Sequence, residues 1–387
     1  MANKKRFSPA AISTLVVVVL ATLVVISSGF YTDMLWYTQV GYSKVFTTQL
    51  VAETELFFGV GSVMGLTIAA VIQLAYRSRI KVANVSPMMN SYRELFDQLR
   101  RVISWGIPVL LGIFAGVASS SQWKMVLVYL NRTPTGKKDP QFGLDASFYM
   151  FELPFWRGVV TMLSALTLLA LVVGLAVHLV SGSFKFTGRQ IITSKAARLH
   201  ISITAGAYLA VQAASVWLDQ YSAMTSTSGL YTGATYTDVN ASIPGFQILC
   251  AISIVVALLF FAMSFVELWR LPILATAALL VSSLILSGIY PWLVQNLQVG
   301  PNERSLESIY LKRNLEATRF AYGLDKVQTI QYDAKTTATT GALRKDAETT
   351  ASIRIIDPAL VSPSFRQLEQ YRQYYNFENQ LDVDRYQ

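Results

Sequence analysis

Along the 387-residue chain, seven uncharged and mostly apolar runs alternate with short polar connections, at 9–30, 56–76, 102–123, 158–180, 199–218, 244–266 and 273–293. A helix needs about 20 such residues to cross a hydrocarbon core roughly 30 Å thick. The pattern predicts an all-α polytopic membrane domain over 1–298. The first run follows Lys4, Lys5 and Arg6. It exceeds a signal-peptide core of about 7–15 residues and has no small-residue cleavage site, so it reads as an uncleaved helix, weakest at 26–29.

The connections add detail. Tyr31, Trp36, Tyr37 and Tyr42 fall between the first two runs, where amphipathic rings suit a membrane interface. Gly61 and Gly65, four apart in the second run, permit close helix approach. Pro108 lies inside the third run, which neighbouring helices can accommodate. Residues 91–101 are expected to form a short surface helix, and 124–131 an amphipathic extension of the third run. The fifth run carries Ser202, Thr204, Gly206, Gln212 and Ser215. Small and weakly polar residues favour protein neighbours over lipid, so this is the expected central helix, with Gln212 in an interhelical hydrogen bond. His178, near the end of the fourth run, is expected to bond a backbone group or reach the interface rather than relay protons.

Charge sets the orientation. With the N-terminus inside, the inner segments hold 14 Lys and Arg and the outer loops hold 6. The positive-inside rule then predicts a plasma-membrane protein with a cytoplasmic N-terminus, and with residues after 298 outside the cytoplasm.

Residues 299–387 differ from the rest, with 12 cations balancing 12 acids and with apolar positions spaced apart. An amphipathic helix is expected over 305–322, with Leu306, Ile309, Tyr310, Leu315 and Phe320 on one broad face. Strands are expected at 327–333 and 353–356, with a Thr/Ala-rich linker at 336–352 between them. A helix is expected from Ser362 and Pro363 to about 375, and extended chain from 377 to 386. This makes a small α+β extracytoplasmic segment, expected to be the start of a larger domain.

Composition narrows the function classes. Residues are 53% hydrophobic and 14% charged, against about 25% charged in a soluble domain. The net charge of +9 serves orientation rather than nucleic-acid binding. One cysteine, Cys250, and two histidines far apart in sequence leave no disulfide framework and no zinc cluster. No Walker loop, dinucleotide fingerprint or nucleophile elbow is present, and no cofactor is expected. Ion-coupled transporters place acids or histidines at mid-membrane, and these runs keep theirs at the ends.

The most distinctive stretch is the loop at 132–157, which holds Asp139, Phe142, Asp145, Phe148, Tyr149, Phe151, Glu152, Phe155 and Trp156. Its acids suit a cation site or an acid/base pair in principle. The reading favoured is structural, with Asp139 before Pro140 starting a turn and Asp145 capping the next one. The aromatics would dock the loop on helix ends, and Lys137 and Lys138 form a solvated pair or meet lipid headgroups. These nine residues are the candidate outer-face interaction loop.

Four stretches carry a likeness to a known family: FYTDMLWYTQVGYSKVF at 30–46, DPQFGLDASFYMFELPFW at 139–156, PNERSLESIYLKRNLEATRFAYGLDKV at 301–327, and SIRIIDPALVSPSFRQLEQYRQYYNFENQLDVDRYQ at 352–387. The chain resembles the N-terminal part of uncharacterised protein family 0182, large bacterial proteins with about seven spans and a longer extracytoplasmic region. It departs from them by ending at Gln387. The resemblance implies no catalytic residues. The leading expectation is a non-enzymatic anchor for an extracytoplasmic module that binds envelope components. The alternative is a transporter or exporter of lipid or envelope precursors, and a third class is a membrane-embedded enzyme using Asp139, Asp145 or Glu152. Expected partners are membrane lipids, other envelope proteins or a second copy.

Overall fold

The computed structural model describes residues 9–78, 98–181, 183–187, 190–227, 231–266, 270–333, 339–341, 344, 357–369 and a few positions up to 378. Residues 1–322 form one compact unit and 323–387 a second.

Among the described residues seven helices are long and apolar enough to cross a membrane, and each contains or overlaps one of the predicted runs, the third and sixth runs extending three residues past their helices. They are α1 (Pro9–Gln39), α2 (Ser43–Arg77), α3 (Arg100–Ser120), α5 (Phe148–Val180), α6 (Lys195–Ser222), α7 (Asp238–Met263) and α8 (Arg270–Leu306). The short α4 (Trp123–Leu130) follows α3, as the amphipathic extension predicted. Helices outrun their apolar runs because hydropathy marks the part lipid must cover, whereas backbone pairing continues into water. The stretch at 31–55, which carries the interface-type rings, is itself helical: α1 and α2 extend through it and leave three residues, 40–42, between them. Phe46 of α2 packs against Phe30 and Tyr37 of α1, with ring centroids 5.4 and 5.5 Å apart. Most of the expected helix at 91–101 lies outside the described residues.

The glycine spacing of α2 serves contact within the chain. A Cβ on Gly61 would stand 2.8 Å from the Gly112 carbonyl oxygen of α3, and one on Gly112 equally close to the Gly61 oxygen. Removing side chains here lets the two backbones touch, which is how helices gain packing energy in lipid. Beside this seam Met64, Ile68, Val71 and Ile72 of α2 form a core with Ala115 of α3 and Ala170 and Val177 of α5. A second core joins Leu209 of α6, Leu249, Val256 and Ala257 of α7 and Leu279 of α8. α6 has neighbours on both sides, α5 and α7, as its small-residue composition predicts. The outward faces carry Leu66, Val109, Phe114, Leu258 and Leu280, all strongly exposed, a surface suited to hydrocarbon.

Among the described residues four helical segments open into π turns, at Phe148–Glu152, Asp238–Ser242, Ile285–Ile289 and Val294–Val299. Each is closed by the residue immediately before a proline, as when Leu153 N–H donates to the Phe148 oxygen ahead of Pro154. Proline supplies no N–H and its ring crowds the carbonyl four residues back. A widened turn relieves that crowding while keeping the helix continuous.

Among the described residues, the β structure apart from isolated bridges is one antiparallel hairpin, β1 (Phe184–Thr187) with β2 (Gln190–Thr193), in the connection between α5 and α6. The predicted α+β character of 299–387 is therefore not supported. Residues 327–333 form no strand, with Ile330 83% and Tyr332 85% exposed; alternation makes a strand only where a partner supplies ladder bonds and one face is covered. Residues 353–356 and most of 336–352 and 377–386 lie outside the described residues.

The helix predicted from Ser362 starts a turn earlier, as α10 (Pro358–Glu369). Asp357 caps it by accepting from Ala359 N–H at 3.0 Å, and Pro358 takes the first position. Within this second unit the Phe365 and Phe377 rings stack 5.6 Å apart, and Ser362 donates to the Glu378 carbonyl.

Candidate functional site

The loop between α4 and α5 is organised by its two aspartates. Asp139 accepts from the N–H groups of Gln141, Phe142 and Leu144 at 2.8, 2.6 and 2.9 Å, and from the Tyr149 hydroxyl at 2.9 Å. Asp145 accepts from Thr135 N–H and hydroxyl at 3.0 and 2.7 Å and from Gly136 and Ser147 N–H, each at 2.8 Å. The backbone closes around them, with Asp139 N–H donating to Leu144 at 2.8 Å and Ala146 N–H to Lys137 at 2.9 Å. Gly136 and Gly143 hold φ of 75° and 69°, which a side chain would strain. The hydrogen bonds from Ser147 and Thr135 hold the Asp145 carboxyl well below the usual carboxylate range. Both aspartates are thus turn and cap residues, as the structural reading holds. Glu152 pairs instead with Arg132 at 3.0 Å, so the three acids have different partners.

The loop aromatics sit against helix ends. Phe142 and Phe148 both meet Tyr221, near the end of α6, at centroid distances of 4.9 and 5.2 Å. Phe155 stacks on Tyr129 of α4 at 3.8 Å, with Trp156 edge-on at 6.1 Å. Phe142, Phe148, Tyr149, Phe151 and Phe155 are half-buried, whereas Trp156 is exposed. Arg157 fastens the start of α5 to the end of α6 through Asp219 at 2.8 Å and the Ser222 hydroxyl.

A second set of bonds gathers residues that sequence reasoning did not connect. Glu307, between α8 and the next helix α9 (Ser308–Ala321), is buried. Its carboxylate accepts from the Tyr231 hydroxyl at 2.6 Å and the Tyr236 N–H at 3.1 Å, both in the loop between α6 and α7. Burial and the adjacent Glu307 carboxylate push the Tyr231 hydroxyl well above the usual phenol range. Asn314 of α9 donates to the Thr232 carbonyl at 2.6 Å, and Thr237 to Gln295 of α8 at 2.5 Å. Arg313 reaches Gln141 of the aspartate loop at 3.3 Å, and Lys137 lies 4.6 Å from the centre of the Phe320 ring. Lys137 therefore meets an aromatic rather than only solvent.

This changes the expected polarity of α9 in part. Of the predicted apolar face Leu306 and Tyr310 are half-buried, but Ile309, Leu315 and Phe320 are at least half exposed, while Glu307 is buried and Arg313 and Asn314 are half-buried. The loops beneath present carbonyls, an amide and hydroxyls, which charged and amide side chains satisfy and aliphatic ones cannot. The Ser, Thr and Tyr content of 219–243 was the available signal, because a loop rich in neutral donors can satisfy a carboxylate.

At the opposite end of the bundle, His178 of α5 and His200 of α6 come together, with Nε2 and Nδ1 3.1 Å apart. The Ser183 hydroxyl is 3.4 Å from the other His178 nitrogen. His178 is fully buried, and its two ring nitrogens meet the Ser183 hydroxyl and the His200 ring in place of the backbone bond expected; packing of α5 on α6 brings two histidines 22 residues apart into contact. Gln212 donates to Ser164 of α5 at 3.2 Å, the interhelical bond expected of it. Cys250 is buried. Among the described residues no three of His, Cys, Asp and Glu lie close enough to hold a metal ion.

The chain matches the model of Uncharacterised protein family (UPF0182) over residues 10–387. It is similar to a UPF0182 protein of Clavibacter sepedonicus, 49% identical over 99% of this chain and 40% of the relative. A UPF0182 protein of Leifsonia xyli is 46% identical over 96% of this chain and 38% of its own length. One of Tropheryma whipplei is 40% identical over 99% and 41%. The chain spans about two fifths of the length of these curated relatives. No solved structure matches. The chain belongs to the UPF0182 family.

Proposed function

Starting from membership of that family, we propose that the seven-helix domain is a plasma-membrane anchor that holds the segment after α8 outside the cytoplasm, where it binds envelope components. The observation that carries this reading is the buried Glu307 carboxylate, which ties the start of that segment to the loop between α6 and α7. Arg313 and Lys137 extend the tie to the aspartate loop. Three separate parts of the chain thereby meet at one bundle end. A surface meant only to end a helix bundle needs no such long-range bracing. The exposed Met150 and Trp156 give that end apolar contact points.

In a Cys250→Ala background, Thr133→Cys is expected to react with a membrane-impermeant maleimide in intact cells, and Ser78→Cys only after lysis. The reverse labelling would overturn the orientation. A photo-crosslinking side chain at Met150 is then expected to capture envelope material; no adduct from that position would remove the binding role.

Movement of lipid or an envelope precursor is a second reading. It draws on one observation, a cleft of about 670 Å³ between α2, α3, α4 and α5.

A further inference from the structure

We infer that this cleft is a binding site for a single membrane lipid, holding one acyl chain in its depth and an ammonium-bearing headgroup at its mouth. Its size falls within the roughly 300–1,000 Å³ of small-molecule sites. Its lining is ordered along the helix axes. Glu55, Ser119 and Gln122 stand at the end of the bundle that carries the aspartate loop, Thr161 and Met162 lie beside Ser119, whose hydroxyl is 3.7 Å from the Met162 sulfur, and Val63, Met64 and Leu166 line it further in. From Glu55 to Met64 is nine residues, about 13 Å at 1.5 Å per residue. Polarity therefore falls from mouth to depth over the distance in which a bilayer passes from headgroups into hydrocarbon. A cleft for a water-soluble ligand would not follow that gradient.

The lining also suits a flexible chain. Three methionines, Met64, Met125 and Met162, take part; their unbranched thioethers adapt to irregular partners. Met125 lies over Gly158, where a Cβ would stand 2.5 Å from its terminal carbon, while Gly59 faces open space with nothing within 4 Å of a Cβ. These glycines give the cleft its width.

Among the lining residues the one charged side chain is Glu55. An anionic headgroup at the mouth would meet a carboxylate of like charge, whereas a protonated amine would pair with it. Lys124, next to the lining residue Met125, has its ammonium 5.5 Å from the centre of the Trp123 ring. The inference does not depend on which side of the membrane this end faces.

The test uses the full chain, reconstituted in an equimolar mixture of phosphatidylethanolamine and phosphatidylglycerol, re-extracted into detergent and analysed by native mass spectrometry. Wild type is expected to retain one phosphatidylethanolamine. Gly59→Phe, which fills the open space and replaces a poor helix former, is expected to lose it. Gly29→Phe, on α1 and likewise in open space, is expected to keep it. Glu55→Gln is expected to retain a lipid with no preference between the two headgroups. Equal retention by wild type and Gly59→Phe, or none by either, overturns the site. An unchanged headgroup preference in Glu55→Gln overturns the role of the carboxylate. If Gly59→Phe instead dissociates a dimer with no change in bound lipid, the cleft is a protein interface and the inference fails.

Discussion

Two loops meet at one end of the bundle, and they are held by opposite means. The loop at 131–147 braces itself: Asp139 and Asp145 find their donors no more than ten residues away. The loop at 223–237 is braced from a distance, by Glu307 reaching back 76 residues to Tyr231 and 71 to Tyr236. The first finds the partners of its two aspartates within its own sequence, though Phe142 and Phe148 dock it on Tyr221. The second depends on α8 running along the bundle and bringing Glu307 alongside. One carboxylate chemistry thus serves two levels of organisation, a local turn and the closure of the whole bundle end.

The largest expected effect breaks the distant brace. Glu307→Ala removes a buried charged acceptor, worth about 1.5–3 kcal/mol for a hydrogen bond to a charged group. Amide exchange should rise across both 308–321 and 231–236, while 135–147 keeps its protection. Equal loss in both loops would show that they are one cooperative unit.

A smaller and more confined effect is expected from Asp139→Ala, about 1 kcal/mol by analogy with loss of a cap. Exchange should rise at Gln141, Phe142 and Leu144 and leave α9 protected. Spread of the effect to Asn314 would mean that the Arg313–Gln141 contact couples the loops.

The smallest effect concerns pH. The Asp145 carboxyl in the folded protein sits below its unfolded value of about 3.9. Its contribution is therefore fully present above that value and is lost only as pH falls through the lower folded value. Exchange protection of Gly136 and Ser147, after correction for the intrinsic rate, should stay flat from pH 7 to about pH 4.5. Asp145→Asn should lower it across that range. A loss of wild-type protection already near pH 5 would contradict the bonding pattern around Asp145.

Much of this was legible in the chain. Seven apolar runs located seven helices, because a hydrocarbon solvent demands about 20 apolar residues whatever their neighbours. Asp139 and Asp145 were readable as turn and cap residues because their partners are close in sequence. The π turns before the prolines at 154, 244, 291 and 301 were not legible in the chain, because a proline ring can also be accommodated in a regular helix, as Pro108 is in α3. Helix ends at 31–55 were not legible, since hydropathy records burial in lipid and not backbone pairing.

What the sequence by itself determined is the set of local and solvent-driven features: the seven spans, the aspartate turns and the small-residue face of α2. Tertiary structure alone decided which distant groups meet. Gly61 found Gly112, His178 found His200, Glu307 found two tyrosines, and the outward edges of α2, α3, α4 and α5 enclosed a cleft. The reason is physical: a residue's type limits what it can bond, but its partner is set by which helix ends the bundle brings together.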